Sequence, residues 1–211
     1  MDDKNTRYFL SLSHNINQID ELRTYAEQHS VPIIDALSLS LIQQIIRIHQ
    51  PKNILEIGSA IGFSSMQFAS VNPNIKITTI ERDPDMIEQA KKNIEAYGFQ
   101  NQIRLIENDA LQAFEDVNDT IYDMIFIDAA KAQSQRFFEM YDPLLRKGGL
   151  IITDNILYHG FVSDIDVVRS RNVKQMVKKI QRFNTWLSQN QDYNTNFINM
   201  DDGLAISMKE R

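Results

Sequence analysis

The spacing of apolar residues separates a helical N-terminal part from a region in which strands and helices alternate. Residues 1–29 are mostly polar with scattered apolar positions, which predicts one or two surface helices. Between 35 and 49 apolar residues recur every three or four positions, as in an amphipathic helix that Asp35 would cap. These positions are Leu37, Leu41, Ile45 and Ile48.

Five short apolar runs rich in isoleucine follow, each about as long as a β-strand. Uninterrupted apolar runs are typical of strands buried on both faces. Helical patterns separate the runs, and this alternation predicts the doubly wound α/β architecture, a parallel sheet with helices on both sides. The predicted strands are Asn53–Ile57, Ile75–Ile80, Ile103–Ile106, Tyr122–Ile127 and Leu150–Thr153, and the predicted helices between them cover 64–70, 84–97, 110–114 and 133–145.

The last part of the chain breaks this alternation. A long helix is predicted over Val167–Leu187. Two further strands, Asn196–Met200 and Leu204–Met208, flank an Asp-Gly turn at 201–203. Such a turn joins antiparallel strands, so we expect a C-terminal antiparallel hairpin to complete a mostly parallel, seven-stranded sheet.

Length and composition favour one soluble globular domain, 1–211, with a helical cap at 1–50 and an α/β core at 51–211. The 211 residues are 43% apolar and 24% charged. No apolar run approaches the roughly 18 residues of a membrane helix. The absence of cysteine excludes disulfides, thiolate metal sites and a cysteine nucleophile. The polar, acidic start at 1–4 is unlike a secretory signal and favours a cytoplasmic location.

An acid or amide stands at or just beyond the end of every predicted parallel strand. In open α/β sheets ligands bind at the carboxyl ends of the strands, so these residues are the first candidates for a functional site. They are Glu56, Glu81, Asn108, Asp109, Asp128, Asp154 and Asn155.

The segment ILEIGSAIG at 54–62 indicates a nucleoside site. Gly58 and Gly62 bracket the turn after the first strand, where glycine allows a ligand to approach the backbone. Glu81 ends the second strand, where an acid can accept both ribose hydroxyls. The middle glycine of the dinucleotide motif is missing, and Glu56 would repel a phosphate but attract an ammonium or sulfonium group. A nicotinamide-dependent reductase and a non-catalytic nucleoside-binding module are the alternatives.

Asp128, Asp154 and Asn155 end two strands that we expect to be neighbours, so their oxygens can converge on one cation. Carboxylate and amide oxygens favour Mg²⁺, with Mn²⁺ or Ca²⁺ as alternatives. Lys131 follows Asp128 by three residues. A nearby cation would favour its neutral form, which could act as a general base. Alone, Lys131 would be interpreted as a surface lysine, but the combination favours catalysis.

The segments ILEIGSAIGFSS, IDAAK at 127–131 and TDN at 153–155 resemble the cation-dependent O-methyltransferases. That family uses S-adenosylmethionine on a Rossmann-like class I methyltransferase fold and includes catechol and caffeoyl-CoA methyltransferases. The similarity covers about residues 30–208. It implies Mg²⁺ on Asp128, Asp154 and Asn155, with Lys131 as the base. For the cofactor it implies Glu56, Gly58, Ser64, Ile34 and Asp128 around the methionyl end, Glu81 at the ribose, and Asp109 and Ala110 near the adenine.

Within that family the sequence looks closest to bacterial methyltransferases that convert 5-hydroxyuridine at the tRNA wobble position into 5-methoxyuridine. NILYHG at 155–160 and DDGLAISMK at 201–209 contribute to this likeness. Ala129 and Ala130 stand where the catechol enzymes have an aromatic gate, which weakens the case for a small flat phenol. A small catechol-type substrate is nevertheless the alternative, because catechol and 5-hydroxyuridine both offer two neighbouring oxygens to a metal. The resemblance to this bacterial type also implies that the protein is a homodimer.

The predicted long helix carries a basic stripe. Six basic residues and no acid lie between 169 and 182, in a chain of net charge −6. Such a run suggests a surface for the phosphates of a tRNA anticodon loop; the alternative is a solvated basic helix face. The candidate tRNA contacts are Arg169, Arg171, Lys174, Lys178 and Arg182.

Overall fold

A computed structural model describes residues 4–12 and 18–211 of the chain. The predictions made for 1–3 and 13–17, including part of the N-terminal helical region, lie outside the described residues. The helices are α1 (Lys4–Ser11), α2 (Glu21–His29), α3 (Ala36–His49), α4 (Phe63–Ala69), α5 (Pro84–Ala96), α6 (Phe114–Val117), α7 (Ser134–Tyr141) and α8 (Arg171–Gln189). The strands are β1 (Asn53–Ile57), β2 (Lys76–Glu81), β3 (Ile103–Glu107), β4 (Tyr122–Ile127), β5 (Leu145–Asp154), β6 (Tyr193–Ile198) and β7 (Leu204–Lys209).

The seven strands form one sheet in the order β3-β2-β1-β4-β5-β7-β6. The first five strands run parallel, and β7 is antiparallel to both β5 and β6. The predicted doubly wound sheet with a C-terminal antiparallel hairpin is therefore confirmed. The order reverses between β1 and β4, and a ligand crevice is expected at such a switch point.

Hydrophobic clusters cover both faces of this sheet. Side chains alternate between the two faces along a strand, so Phe126 of β4 belongs to one cluster and its neighbours Ile125 and Ile127 belong to the other. In the first cluster the Phe126 ring meets Phe68 of α4 edge-on, with the centroids 5.2 Å apart. Burial on both faces explains why the strands appear in the sequence as continuous apolar runs.

Several predicted boundaries are wrong in ways that the local sequence explains. β5 begins at Leu145, earlier than the predicted Leu150, because the strand continues through Gly148 and Gly149 past a register shift against β4. A glycine pair in that position resembles a turn. β6 lies at Tyr193–Ile198 instead of the predicted 196–200, because this edge strand is largely exposed and its sequence is polar.

Two predicted helix starts also differ from the structure. α8 begins at Arg171, after the Ser170 cap, so the predicted start at Val167 falls in a separate short turn and Arg169 precedes the helix. Asp35 precedes α3 but makes no side-chain capping bond. Instead, Asp201 Oδ2, from the β6–β7 turn, accepts bonds from Ser38 N at 2.9 Å and Ser38 Oγ at 2.7 Å.

Of the helices in 4–12 and 18–211, none combines the length and apolar character needed to cross a membrane. The single domain, the cytoplasmic location and the homodimer stay predictions.

Truncating the core beneath the switch point is expected to destabilise the fold strongly. Phe126 is fully buried, so Phe126→Ala should lower the free energy of unfolding by about 3–5 kcal/mol, through lost transfer energy and the cavity left behind. Ile121→Ala is the control, because Ile121 lies just before β4 and is 57% exposed. This substitution should change the free energy of unfolding by less than about 0.5 kcal/mol. Urea unfolding measures both values, and equal losses would contradict this placement of the core.

Candidate active site

The switch point opens into two adjoining cavities of about 410 and 150 Å³. Gly58, Ala129 and Ala130 line both of them. The larger cavity continues toward Ile34, Ser64 and Lys131, whereas the smaller one continues toward Asp109 and Ala110. The two cavities together form a trench across the carboxyl ends of β1, β2 and β4, with the predicted cofactor residues Gly58, Ile34, Ser64, Asp109, Ala110 and Asp128 along it.

Gly58 lines both cavities at the point where the loops after β1 and β4 touch. Its φ is +94°, and a Cβ there would lie 2.4 Å from the Asp128 carbonyl oxygen. That distance is far below any normal contact, so only glycine fits between the two loops. The Gly58 amide donates to Ile80 O at 3.0 Å, which fixes the loop over the end of β2.

Glu56 lies under this loop and is completely buried. Its Oε2 accepts bonds from the hydroxyls of Ser65 and of Thr79, the latter at 2.6 Å. Burial raises the pKa of Glu56 to about 7. Among the described residues, Glu56 Oε1 and the neighbouring Ser59 Oγ are buried without a hydrogen-bond partner. Buried polar atoms are normally paired, so this end of the trench fits a polar ligand group such as the ammonium of a methionyl moiety.

Glu81 and Asp109 stand at the ends of β2 and β3 with their carboxylates already oriented. Glu81 accepts from the amides of Ala60 at 2.9 Å, Arg82 at 2.8 Å and Asp83 at 3.0 Å, so it also holds the glycine loop. Asp109 accepts from Leu111 N at 2.8 Å and from the Arg82 guanidinium at 2.9 Å. These two bonds hold the pKa of Asp109 below its usual range.

The remaining cofactor candidates contribute apolar walls to the trench. Ile34 is buried, and its carbonyl accepts from the Arg23 guanidinium at 3.1 Å. Ala110 is buried, and its carbonyl accepts from Tyr141 Oη at 2.6 Å. Small or apolar side chains at these two places leave room for a ligand along the trench.

The predicted metal and catalytic residues converge beside the larger cavity. Ile127 of β4 pairs with Thr153 of β5, so Asp128 and Asp154 follow at adjacent strand ends. The Asn155 side chain joins the group, because its Nδ2 donates to Asp128 Oδ1 at 3.0 Å and its Oδ1 accepts from Lys131 Nζ. The backbone N–H of Asn155 donates to Asp154 Oδ1 at 2.6 Å.

The two carboxylates of this group carry an electrostatic conflict. Burial raises the pKa of Asp154 to about 8, and repulsion from Asp128 adds to the shift. Burial likewise raises the pKa of Asp128, against the attraction of Lys131. Within the described residues no three His, Cys, Asp or Glu side chains cluster as metal ligands. Two carboxylate groups and one amide oxygen are a donor set that suits a hard divalent cation.

The sequence analysis missed an aromatic residue at this site. Tyr158 lines the larger cavity, and Lys131 Nζ lies 5.7 Å from the centre of its ring. The residues directly after Asp128 are Ala129 and Ala130, and neither is aromatic. The loop after the neighbouring strand supplies the aromatic side chain instead. Its signal in the sequence was the tyrosine of NILYHG.

α8 lies against the same cavity and presents its charges outward. Met176 lines the cavity, and Val177, Ile180 and Phe183 are buried, which confirms an amphipathic helix. Arg171, Lys178, Lys179 and Arg182 are exposed, Lys174 is half-buried, and Arg169 is exposed just before the helix. In the part of the chain that the structure describes, none of these six forms an ion pair.

The chain resembles several known proteins along nearly its whole length. Catechol O-methyltransferase of Niastella koreensis is 28% identical, with 97% of this chain and 99% of that protein covered. A Staphylococcus aureus protein of known structure, provisionally named a caffeoyl-CoA O-methyltransferase, is 60% identical, with a TM-score of 0.96 and 98% and 100% of the two chains covered.

More distant structures share the fold alone. The O-methyltransferase TomG of Streptomyces achromogenes, solved in complex with SAM, is 24% identical with a TM-score of 0.84, and 97% of this chain and 95% of that one are covered.

The sequence model of a family described as O-methyltransferase matches residues 11–210. The family resemblance inferred from the sequence motifs is thus confirmed, and the chain belongs to the O-methyltransferase family.

Proposed function

We propose that this protein transfers a methyl group from S-adenosylmethionine to one oxygen of a substrate that presents two neighbouring oxygens to a divalent cation. The observation that carries the proposal is the convergence of Asp128, Asp154, Asn155 and Lys131 beside the trench. A nicotinamide-dependent reductase and a non-catalytic binding module have no such support, whereas membership of the O-methyltransferase family favours transfer.

The trench offers S-adenosylmethionine a complementary group at each end. The ammonium group of S-adenosylmethionine would lie near the unpartnered oxygen of Glu56, and Ser64 would line the same end of the trench. The ribose would meet Glu81, and the adenine would enter the smaller cavity beside Asp109 and Ala110. S-adenosylmethionine would supply the methyl group from its sulfonium. A relative that shares this fold, TomG, was solved with SAM bound, which is consistent with this use of the trench.

The carboxylates of Asp128 and Asp154 and the amide oxygen of Asn155 would hold a Mg²⁺ ion. A bound cation would lower the pKa of a substrate hydroxyl beside it, as it does for bound water. Lys131 is the base: its Nζ already lies within hydrogen-bonding distance of Asn155 Oδ1, at the edge of the cavity. In its neutral form, Lys131 Nζ would accept the proton of the hydroxyl as the bond between the substrate oxygen and the methyl carbon forms and the methyl–sulfur bond of the sulfonium breaks, which leaves S-adenosylhomocysteine.

Two substrate classes fit this arrangement, since catechol and 5-hydroxyuridine offer similar pairs of oxygens. The names of the relatives favour the small catechol-type substrate. The surface of α8 supports 5-hydroxyuridine in tRNA, because exposed, unpaired basic side chains lie on the outer face of the same helix whose Met176 lines the cavity. Positive side chains of this kind bind a phosphate backbone. On the basis of this helix we propose tRNA 5-hydroxyuridine as the substrate, with the catechol-type phenol as the second candidate.

The substrate prediction is tested by methyl transfer in vitro with and without a chelator. We expect chelator-sensitive transfer to tRNA that carries 5-hydroxyuridine, and no transfer to unhydroxylated tRNA. Binding should weaken with added salt, and the double variant Lys178→Glu/Arg182→Glu should reduce the slope of log K against log salt by about 2.

The matched control for this experiment is Lys52→Glu/Lys147→Glu, which makes the same charge change at two exposed lysines near the amino-terminal ends of β1 and β5. It should leave the salt slope unchanged. Efficient methylation of catechol without transfer to hydroxylated tRNA would establish the second candidate. An unchanged slope in the α8 variant would show that its basic face is merely solvated.

Blocking the loop contact at the switch point is expected to remove cofactor binding. Gly58→Ala places a methyl group 2.4 Å from Asp128 O, so the trench must distort and the Kd for S-adenosylhomocysteine should rise by at least about tenfold. Gly98→Ala is the control, since Gly98 also has a positive φ but nothing lies within 4 Å of its Cβ position. Calorimetric titration measures both affinities, and equal effects would refute this role for Gly58.

A cation site at Asp128 and Asp154 predicts a cation-dependent pH profile of stability. The pKa of Asp154 is raised from 3.8 to about 8. Its protonated form therefore stabilises the cation-free fold fully below about pH 4, and this stability is lost as the pH rises toward 8, by up to about 1.4 kcal/mol per pH unit. Saturating Mg²⁺ should reduce the slope, and Asp154→Asn should reduce it without Mg²⁺ while abolishing methyl transfer; the slope that remains below about pH 7 comes from Glu56, whose pKa is also raised. Urea unfolding from pH 5 to 8 measures the profile, and a slope that Mg²⁺ leaves unchanged would contradict the site.

A further inference from the structure

The β6–β7 turn, Asp201–Gly203, lies against the loop that carries Asn155 and against the start of α3. We propose that this turn, together with Asn184 of α8, is a positioning clamp. It holds loop 155–159 so that the side-chain amide of Asn155 faces Asp128 and Lys131. The inference rests on the proposed function, because it concerns how that cation site is kept in shape. It adds residues that touch neither the cation nor the substrate.

The loop has a backbone that needs external support. Asn155, Tyr158 and His159 have φ values of +63°, +45° and +56°. L-residues rarely adopt such angles and keep them only where the surrounding structure fixes them. Two of the three, Asn155 and Tyr158, are also the residues whose side chains approach Lys131. The strained backbone therefore coincides with the chemistry of the site.

The turn supplies three hydrogen-bond acceptors to this loop. Gly203 O accepts from Ile156 N at 3.2 Å, and Asp202 O accepts from Leu157 N at 2.8 Å. The Asp202 carboxylate accepts from the amide of His159. Three of the four amides that follow Asn155 are thus bonded to two consecutive residues of one turn.

Packing at Gly203 shows how closely the turn and the loop fit. A Cβ on Gly203 would lie 2.6 Å from Leu157 Cγ and 2.9 Å from Ile156 Cγ1. Its φ of +84° also disfavours any other residue. The loop therefore rests directly on the backbone of the turn, with no side chain between them.

Asn184 holds the loop from the other side. Its Nδ2 donates to Ile156 O at 2.9 Å. The amide and the carbonyl of Ile156, the residue directly after Asn155, are therefore fixed by two different elements, the β6–β7 turn and α8. This arrangement restricts the backbone rotation that would swing the Asn155 side chain away from Asp128.

The turn is itself anchored at the cofactor wall. Asp201 Oδ2 accepts from both Ser38 N and Ser38 Oγ at the start of α3, a few residues after Ile34. One three-residue turn thus connects the wall of the larger cavity to the loop of the cation site. Partners that orient metal ligands typically change metal affinity or activity by about 10- to 100-fold when they are removed.

The test compares variants that remove single clamp bonds in the full-length protein. Asp202→Ala removes the acceptor of His159 N, whereas Asp202→Asn keeps an oxygen there. Asn184→Asp removes the donor to Ile156 O at constant shape, and Thr185→Ala changes an exposed neighbour on the same helix whose hydroxyl bonds only within α8. Calorimetric titrations measure the affinity for Mn²⁺ in the presence of S-adenosylhomocysteine, and the affinity for S-adenosylhomocysteine itself.

We expect Asp202→Ala and Asn184→Asp to raise the Kd for Mn²⁺ by about tenfold while the Kd for S-adenosylhomocysteine stays within about twofold. Asp202→Asn and Thr185→Ala should bind both ligands as the unaltered protein does. The retained cofactor affinity also shows that each variant is folded.

Wild-type Mn²⁺ affinity in Asp202→Ala and Asn184→Asp would overturn the clamp, as would a parallel loss of both ligands. An equal loss in Asp202→Asn would overturn it too, because the hydrogen bond and not the charge is the basis of the inference. If the unaltered protein binds no Mn²⁺, the proposed function fails and the clamp fails with it; the first three outcomes leave that function intact.

Discussion

Two half-buried carboxylates that lie close together set the electrostatics on which this site depends. Parallel pairing of β4 and β5 brings Asp128 and Asp154 to the same edge of the sheet, so the fold itself creates the repulsion. Lys131 bonds to the side-chain amide of Asn155, which also bonds to Asp128, yet burial still raises the pKa of both acids. Buried charges of one sign are tolerated in proteins where a counter-charge or a metal compensates them. A divalent cation would satisfy these acids and leave Lys131 free to exchange a proton.

Sequence reasoning succeeded where a single local rule decided the structure. The apolar runs of β1 and β4 are typical of strands buried on both faces. Because parallel strands end at the same edge of a sheet, their order along the chain then predicted that Asp128, Asp154 and Asn155 lie close together. It failed where two rules competed. Gly148 and Gly149 look like a turn but lie inside β5, and the exposed edge strand β6 has no apolar pattern to reveal it.

Other parts of the site depend on contacts between distant positions, which a single sequence does not display. Ser38 and Asp201 lie 163 positions apart, yet their hydrogen bonds replace the cap that Asp35 was expected to provide. The Asn184–Ile156 bond likewise joins α8 to the loop after β5. Local sequence patterns indicate which side chains are candidates for the functional site. The groups that orient those side chains are identified only in the folded structure.

The proposed cation site would not select between the two substrates, because two adjacent oxygens satisfy it whether they belong to a phenol or to a modified uracil. Discrimination must come from the rim, where Tyr158 and Met176 border the cavity. α8 combines three features: Met176 on the cavity wall, Asn184 against the loop that carries Asn155, and exposed cations on its outer face. A polyanion bound to the outer face would therefore lie against the same helix whose inner face borders the reacting groups. A small phenol would make no use of that outer face, whereas the proposed phosphate-bearing substrate would contact both faces of the helix.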